Sequence, residues 1–403
     1  MSEPPQQPAP QDLSHFMVGV GSWFGSFGLH GVLFSTLLVV ELQETELRVG
    51  AAQSALLIPS VILMLAGGAV ADRVHRARLL TRLHLAGSLI ALALCAALTA
   101  GWLSYPLLLL YALAFGALQA FVNPTRDALL SEVAGTQLAR SVALMNLTQW
   151  GSQATGALVA SGARLLGAAP FFFLQSLVLA AGMIAFARME GRPPTQRPAL
   201  TFSELLDGIR EVVRTPDLLA TWILACAVGV LFIGPFMVVF PLMVRDVYHH
   251  GAGEIALVSA CFPLGTITGS IVIMRRGGLK ALFPAQWRAL CVGASILIST
   301  SLDLPFWGLL LCIYGWGVTG AIFMIAGRTT FQQRASAENR GRVLATYTMG
   351  VFGSAGLFGA PLSGGLAGLL GPQNVPAVLG VTMLALVSVI LVSGMGRRPT
   401  PRS

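Results

Sequence analysis

The stretch GGAVADRVHRARLL, residues 67–80, ends one apolar run and opens another. The run before it, residues 50–71, holds no Asp, Glu, Lys or Arg; Asp72, Arg73, Arg76 and Arg78 then arrive within seven positions. Outward from this seam, further charge-free runs cover 17–40, 83–125, 141–163, 165–187, 218–244, 255–274, 304–327 and 343–396. A helix needs about 20 apolar residues to cross the hydrocarbon of a bilayer, so each run holds one span and the longest hold two. Backbone groups in lipid must bond within their own segment, which makes the spans helical.

Composition agrees. Of 403 residues, 55% are hydrophobic and 10% charged, against about 25% charged in soluble domains. Breaking the long runs at WLSYP (102–106) and GPQNVP (371–376) gives twelve spans. They lie near 17–40, 50–71, 79–101, 106–126, 138–162, 169–188, 218–243, 254–274, 284–302, 305–327, 343–366 and 376–395. The expected fold is all-α: twelve transmembrane helices in two six-helix bundles related by a pseudo-two-fold axis along the membrane normal. Similar arginine-bearing connectors, NPTRDALLSEVAGTQLARSVALMN and GRTTFQQRASAENRGRVLATYTMG, follow the fourth and tenth spans, as such a parallel repeat requires.

The domain reading is a cytoplasmic tail over 1–15, a bundle over 16–189, a linker over 190–216, a second bundle over 217–395 and a tail over 396–403. The first tail is proline-rich and lacks the basic region and cleavage site of a signal peptide. Within the linker, TFSELLDGIREVV combines a Thr201–Glu204 capping signal with apolar residues at helical spacing, predicting a short amphipathic helix. With both termini inside, 22 of the 25 Lys and Arg residues are cytoplasmic, and only Arg48, Arg164 and Arg245 lie outside. That bias supports a multi-pass protein of a bacterial-type inner membrane. The net charge of +8 therefore reports topology rather than nucleic-acid binding.

Several chemistries lack their residues. The five cysteines form no CxxC or Cys/His cluster, so neither metal nor cofactor is expected. There is no HExxH, GxSxG or phosphate-cradling GxxxxGK[ST], which argues against an embedded enzyme and a nucleotide-driven pump. His30 is the one clearly mid-span ionisable group, a candidate for proton coupling with helix–helix bonding as the alternative. No acid or arginine lies mid-span, so a small neutral, zwitterionic or amphipathic molecule fits best. Candidates to line its cavity are Trp23, Gln53, Gln119, Asn146, Gln149, Trp150, Gln153, Tyr314, Trp316 and Tyr347. Glycines, including Gly21, Gly25 and Gly28 on one face, fit close helix packing as well as cavity-lining helices that move.

The seam resembles the signature G-x-x-x-D-R-x-G-R-[RK] of the major facilitator superfamily. Gly68, Asp72, Arg73 and Arg76 match it, His75 replaces its second glycine, and Arg78 shifts the last basic residue by one. NPTRDALLSEV with ARSVALMN further resembles the branch of enterobactin exporters and macrolide-efflux proteins. The resemblance implies a secondary exporter working by alternating access, with proton antiport in prospect. It also implies a conformational latch of Gly68, Asp72, Arg73, Arg76, Arg78 and Asp127, in which Arg76 reaches both acids and Asp72 faces the helix beginning near Val343. The antiporter signature G-x-x-x-G-P is imperfect in the fifth span, where Ala157 follows Gly156. The expected partners are a small-molecule substrate, protons and membrane lipid, in a monomer. An importer or lipid-like flippase of the same fold, or a non-transporting membrane sensor, are the alternatives.

Overall fold

The computed structural model describes residues 10–134, 138–189, 202–336 and 340–394, and these are helical without a strand. The first part contains α1 (Pro10–Thr36), which runs into a π turn at Leu37–Glu41, then α2 (Glu46–Ile62), α3 (Met64–Arg73), α4 (Arg76–Thr99) and α5 (Tyr105–Val133). It continues through α6 (Leu138–Ala160), the single turn α7 (Ala163–Leu166) and α8 (Ala169–Ala187). The second contains α9 (Phe202–Arg214), α10 (Pro216–Val228), α11 (Gly234–Asp246), α12 (Ala252–Arg275), α13 (Leu282–Ser299) and α14 (Phe306–Arg334). It ends with α15 (Arg340–Thr348), α16 (Ala360–Leu370) and α17 (Val375–Val392).

Proline and glycine punctuate these helices in opposite ways. Pro106, Pro170, Pro216 and Pro376 stand in the first turn of their helices, where the missing N–H leaves no bond unmade, whereas Pro235 and Pro361 directly follow the π segments Gly229–Ile233 and Ala355–Gly359. Gly167 and Gly371, at φ 76° and 78°, close α7 and α16 in the left-handed region that a side chain would oppose.

Ten of the described helical segments are long and apolar enough to cross a membrane. The spans expected near 50–71 and 138–162 are helical but fall outside that set. The first is broken at Leu63 into α2 and α3, four residues after the helix-interior Pro59. The second, α6, is long enough but carries Asn146, Thr148, Gln149, Ser152, Gln153 and Thr155. Residues 10–15, read as part of the tail, form the opening turns of α1. The linker helix is present as α9, whereas Thr201 and the tail from 395 onward lie outside the described residues.

The chain divides into two compact units: Met1–Phe34 with Pro59–Leu200, and Ser35–Ile58 with Thr201–Ser403. In the first unit, α1 crosses α6 through glycines. A Cβ on Gly28 would lie 2.1 Å from the Gln153 carbonyl oxygen, and one on Gly156 would lie 2.1 Å from that of Gly25. α3 meets α5 as closely, since a Cβ on Gly67 would stand 2.2 Å from the Ala120 oxygen. The second unit repeats both crossings. Gly229 abuts Val351 and Ser354, and Gly265 of α12 abuts the Tyr314 carbonyl of α14. The pairing of α4 with α8 likewise recurs as α13 with α17. An internal repeat is thus visible in the packing itself.

The Ser35–Ile58 hairpin belongs with the second unit because of its backbone contacts. A Cβ on Gly50 of α2 would lie 2.6 Å from the Ala360 oxygen, and one on Gly364 would lie 2.5 Å from that of Glu46. Arg245 fastens the same hairpin, donating from Nη1 to the carbonyls of Val39 (3.1 Å) and Glu44 (3.4 Å).

Candidate functional site

In the first unit, the apolar faces of α1, α5 and α8 close over a polar chain. His30 Nδ1 lies 3.1 Å from Tyr111 Oη. That hydroxyl donates to Gln175 Oε1 at 3.3 Å, and Gln175 Nε2 donates to Ser26 Oγ at 3.0 Å. The imidazole is stacked on Phe34 and Phe115, each with its centroid 5.1 Å away, and is 1% exposed. Trp23 stacks on the same Phe115 at 5.4 Å. His30 is therefore a hub of the core, with Tyr111 as its hydrogen-bond partner among the described residues. Tyr111 and Ser26 were not among the sequence candidates. The i, i+4 spacings Ser26/His30 and Tyr111/Phe115 were the available signal.

The candidates on α6 form one surface. Asn146, Gln149, Trp150 and Gln153 stand at i, i+3, i+4 and i+7, and each is half-buried. Gln119, on α5, has a buried Oε1 with no hydrogen-bond partner among the described residues.

The remaining candidates belong to the second unit. Gln53 donates to Ser35 Oγ at 3.3 Å, tying α2 to the end of α1. Trp316 is packed among Phe232, Phe236, Phe240 and Phe262, and Tyr314 Oη donates to Thr268 Oγ1 at 2.8 Å. Tyr347 packs against Phe331, with centroids 4.9 Å apart. Trp316 and Tyr347 are thus core residues of this unit.

At the seam, Arg76 opens α4 and links two helix ends. Its Nε donates to the Ala71 carbonyl in the last turn of α3 at 3.3 Å, and its Nη1 pairs with Glu132 near the end of α5. Both side chains are mostly buried, at 15% and 17% exposure. Asp127 accepts from the adjacent Arg126, whose Nε and Nη2 donate to Oδ1 at 3.1 and 2.8 Å. Glu132 is an acid the sequence reading missed; it lies five residues past Asp127, on the same helix. Arg73 and Arg78 are exposed, Gly68 has open space at its Cβ position, and the Asp72 side chain lies outside the described residues.

Comparison with known proteins fits this architecture. The sequence profile described as Major Facilitator Superfamily matches residues 14–355. The chain is 28% identical to the staphyloferrin A transporter of Staphylococcus aureus (strain NCTC 8325 / PS 47) over 122 residues. That match spans 30% of this chain and 29% of the relative's length. Among solved structures it is similar to nucleoside transporter NupG, with a TM-score of 0.72, 14% identity and coverage of 95% of this chain and 99% of that one. A POT family transporter in complex with 5-aminolevulinic acid gives a TM-score of 0.75 at 11% identity, covering 98% of each chain. The human organic anion transporter MFSD10 gives 0.68 at 16% identity, covering 96% of this chain and all of that one. At these identities the structures establish the fold. The chain belongs to the Major Facilitator Superfamily: it is a multi-pass membrane protein of a transporter family, not an enzyme.

Proposed function

We propose that this protein is a secondary transporter of the inner membrane that exports a small neutral or amphipathic organic molecule by alternating access. The α6 surface carries this reading. Asn146, Gln149, Trp150 and Gln153 form a half-buried, uncharged strip within a run, 141–163, that holds no Asp, Glu, Lys or Arg. Polar groups in a membrane helix are costly unless they bond a neighbour or line a wet cavity. Neutral donors and acceptors beside an indole suit a solute with both polar and apolar parts. Export follows the resemblance of NPTRDALLSEV to the efflux branch.

In this scheme Gly68, Asp72, Arg73, Arg76, Arg78 and Asp127, together with the Arg76–Glu132 pair, serve as a latch that favours one conformation. Both termini are cytoplasmic, and the monomer is the working unit. Proteoliposome counterflow tests the proposal, with staphyloferrin A as the first solute and a panel of macrolides and dyes beside it. Accelerated exchange of one solute, lost on Gln149→Leu with Gln153→Leu, is expected. Exchange equal to that of empty liposomes for every solute would refute transport. Collapsing the pH gradient then separates antiport from uniport.

A further inference from the structure

The exposed face of α4 carries two charges that the described residues do not neutralise. Arg78 and Arg82 are exposed, and among the described residues neither has a hydrogen bond or an ion pair. They stand at i and i+4, so their Cβ atoms are about 5–6 Å apart on one helix face. Leu85, Leu89 and Leu92 continue that face at i+7, i+11 and i+14 and are 44%, 55% and 41% exposed. The opposite face, with Ala77, Leu80, His84, Gly87, Ser88 and Ala91, is buried where α4 packs on α5 and α8. Because α4 is long and apolar enough to cross a membrane, its leucine stripe meets acyl chains and its arginine pair meets headgroups.

Two like charges at i, i+4 destabilise a helix rather than support it. Arg78 also stands in the first turn, where the macrodipole is positive and a cation is the unfavourable sign. Charges that only set topology would serve as well in the connector before α4, whereas Arg82 lies about 9 Å along the helix. Both penalties are relieved when an anion sits between the guanidinium groups, and a phosphodiester offers two oxygens to their N–H forks. The acyl chains of the same molecule then run down Leu85, Leu89 and Leu92. The matching helix of the second unit, α13, lacks the pair: its exposed Arg288 has Pro284 four residues before it and Val292 four after.

We propose that this face of α4 binds an anionic phospholipid, its phosphate held between Arg78 and Arg82 and its chains laid along the leucine stripe. On the orientation proposed above, the lipid belongs to the cytoplasmic leaflet. The inference needs a membrane span but no particular cargo.

The test is native mass spectrometry of the full-length protein in detergent with equal amounts of dioleoyl phosphatidylglycerol and dioleoyl phosphatidylcholine. Wild type retains phosphatidylglycerol in preference. Arg78→Gln or Arg82→Gln lowers that preference about fivefold, and the double variant abolishes it. Arg288→Gln leaves it unchanged, which separates the pair from general positive charge. Arg78→Lys with Arg82→Lys retains part of it, since the charge remains while the fork is lost. Monodisperse elution and an unchanged lipid-free unfolding midpoint of the double lysine variant establish that the fold survives. No preference in wild type, an equal drop in Arg288→Gln, or an undiminished preference in the double glutamine variant would overturn the site. Displacement of the lipid by millimolar glycerol 3-phosphate would also overturn it, because the arginines would then be reading a soluble anion. Counterflow bears on the transporter reading alone and leaves the lipid site standing whichever way it falls.

Discussion

His30 shows how much one residue's neighbours decide. Depth alone made it a candidate for proton coupling, yet its ring is clasped by Phe34 and Phe115 and bonded to Tyr111. Replacing it with alanine removes a stacked ring and leaves a buried hydroxyl short of a partner, a cost of about 3 kcal/mol. A lower unfolding midpoint of His30→Ala in detergent checks this. His30→Gln, which keeps a polar partner for Tyr111, recovers part of the loss. If the role is packing, transport by His30→Gln still responds to an imposed pH gradient; loss of that response in a folded variant returns His30 to the coupling role. At the seam, Arg76→Gln and Glu132→Gln are expected to be non-additive by about 1–3 kcal/mol, because each single change strands a mostly buried charge. A double-mutant cycle in unfolding midpoints reads that coupling. An additive result would mean that the two side chains act independently.

At the scale of helices, glycine sets how closely they pack. Lipid tails are as apolar as leucine, so helices in a membrane gain from backbone approach and not from burial alone. Gly28→Val would drive its side chain into the Gln153 carbonyl, whereas Gly151, with open space at its Cβ position, tolerates alanine. The expected result is loss of folded protein for Gly28→Val, at a cost of about 1–3 kcal/mol or more, and near-wild-type behaviour for Gly151→Ala. Size-exclusion profiles of the two variants make the comparison. The same approach fixes the face of α6. With Gly156 and the Gln153 backbone committed to α1, the side chains of Asn146, Gln149, Trp150 and Gln153 are displayed along one continuous strip. Their spacing was legible in the sequence. Which glycines meet a carbonyl was not, because that depends on the partner helix.

Across the whole molecule, the hairpin Ser35–Ile58 joins the second compact unit although the chain on either side of it belongs to the first. Arg245 holds it through two carbonyls and is itself oriented by Asp246, whose Oδ2 accepts from Nη2 at 2.9 Å. Arg245→Gln removes those donors, so a cysteine placed at Ser35 in a background lacking the five native cysteines should label faster with a membrane-impermeant maleimide. An unchanged rate would show that Arg245 does not hold the hairpin. The sequence by itself determined that the chain spans a membrane many times as helices, because charge-free runs of this length admit no other structure in lipid. It also marked the linker helix and the arginine seam, since caps, spacing and charge are local properties. Only the tertiary structure decided that Arg76 pairs with Glu132 and that His30 is sealed in a core. Those facts depend on which helix faces which, and apolar helices of similar composition leave that choice to packing.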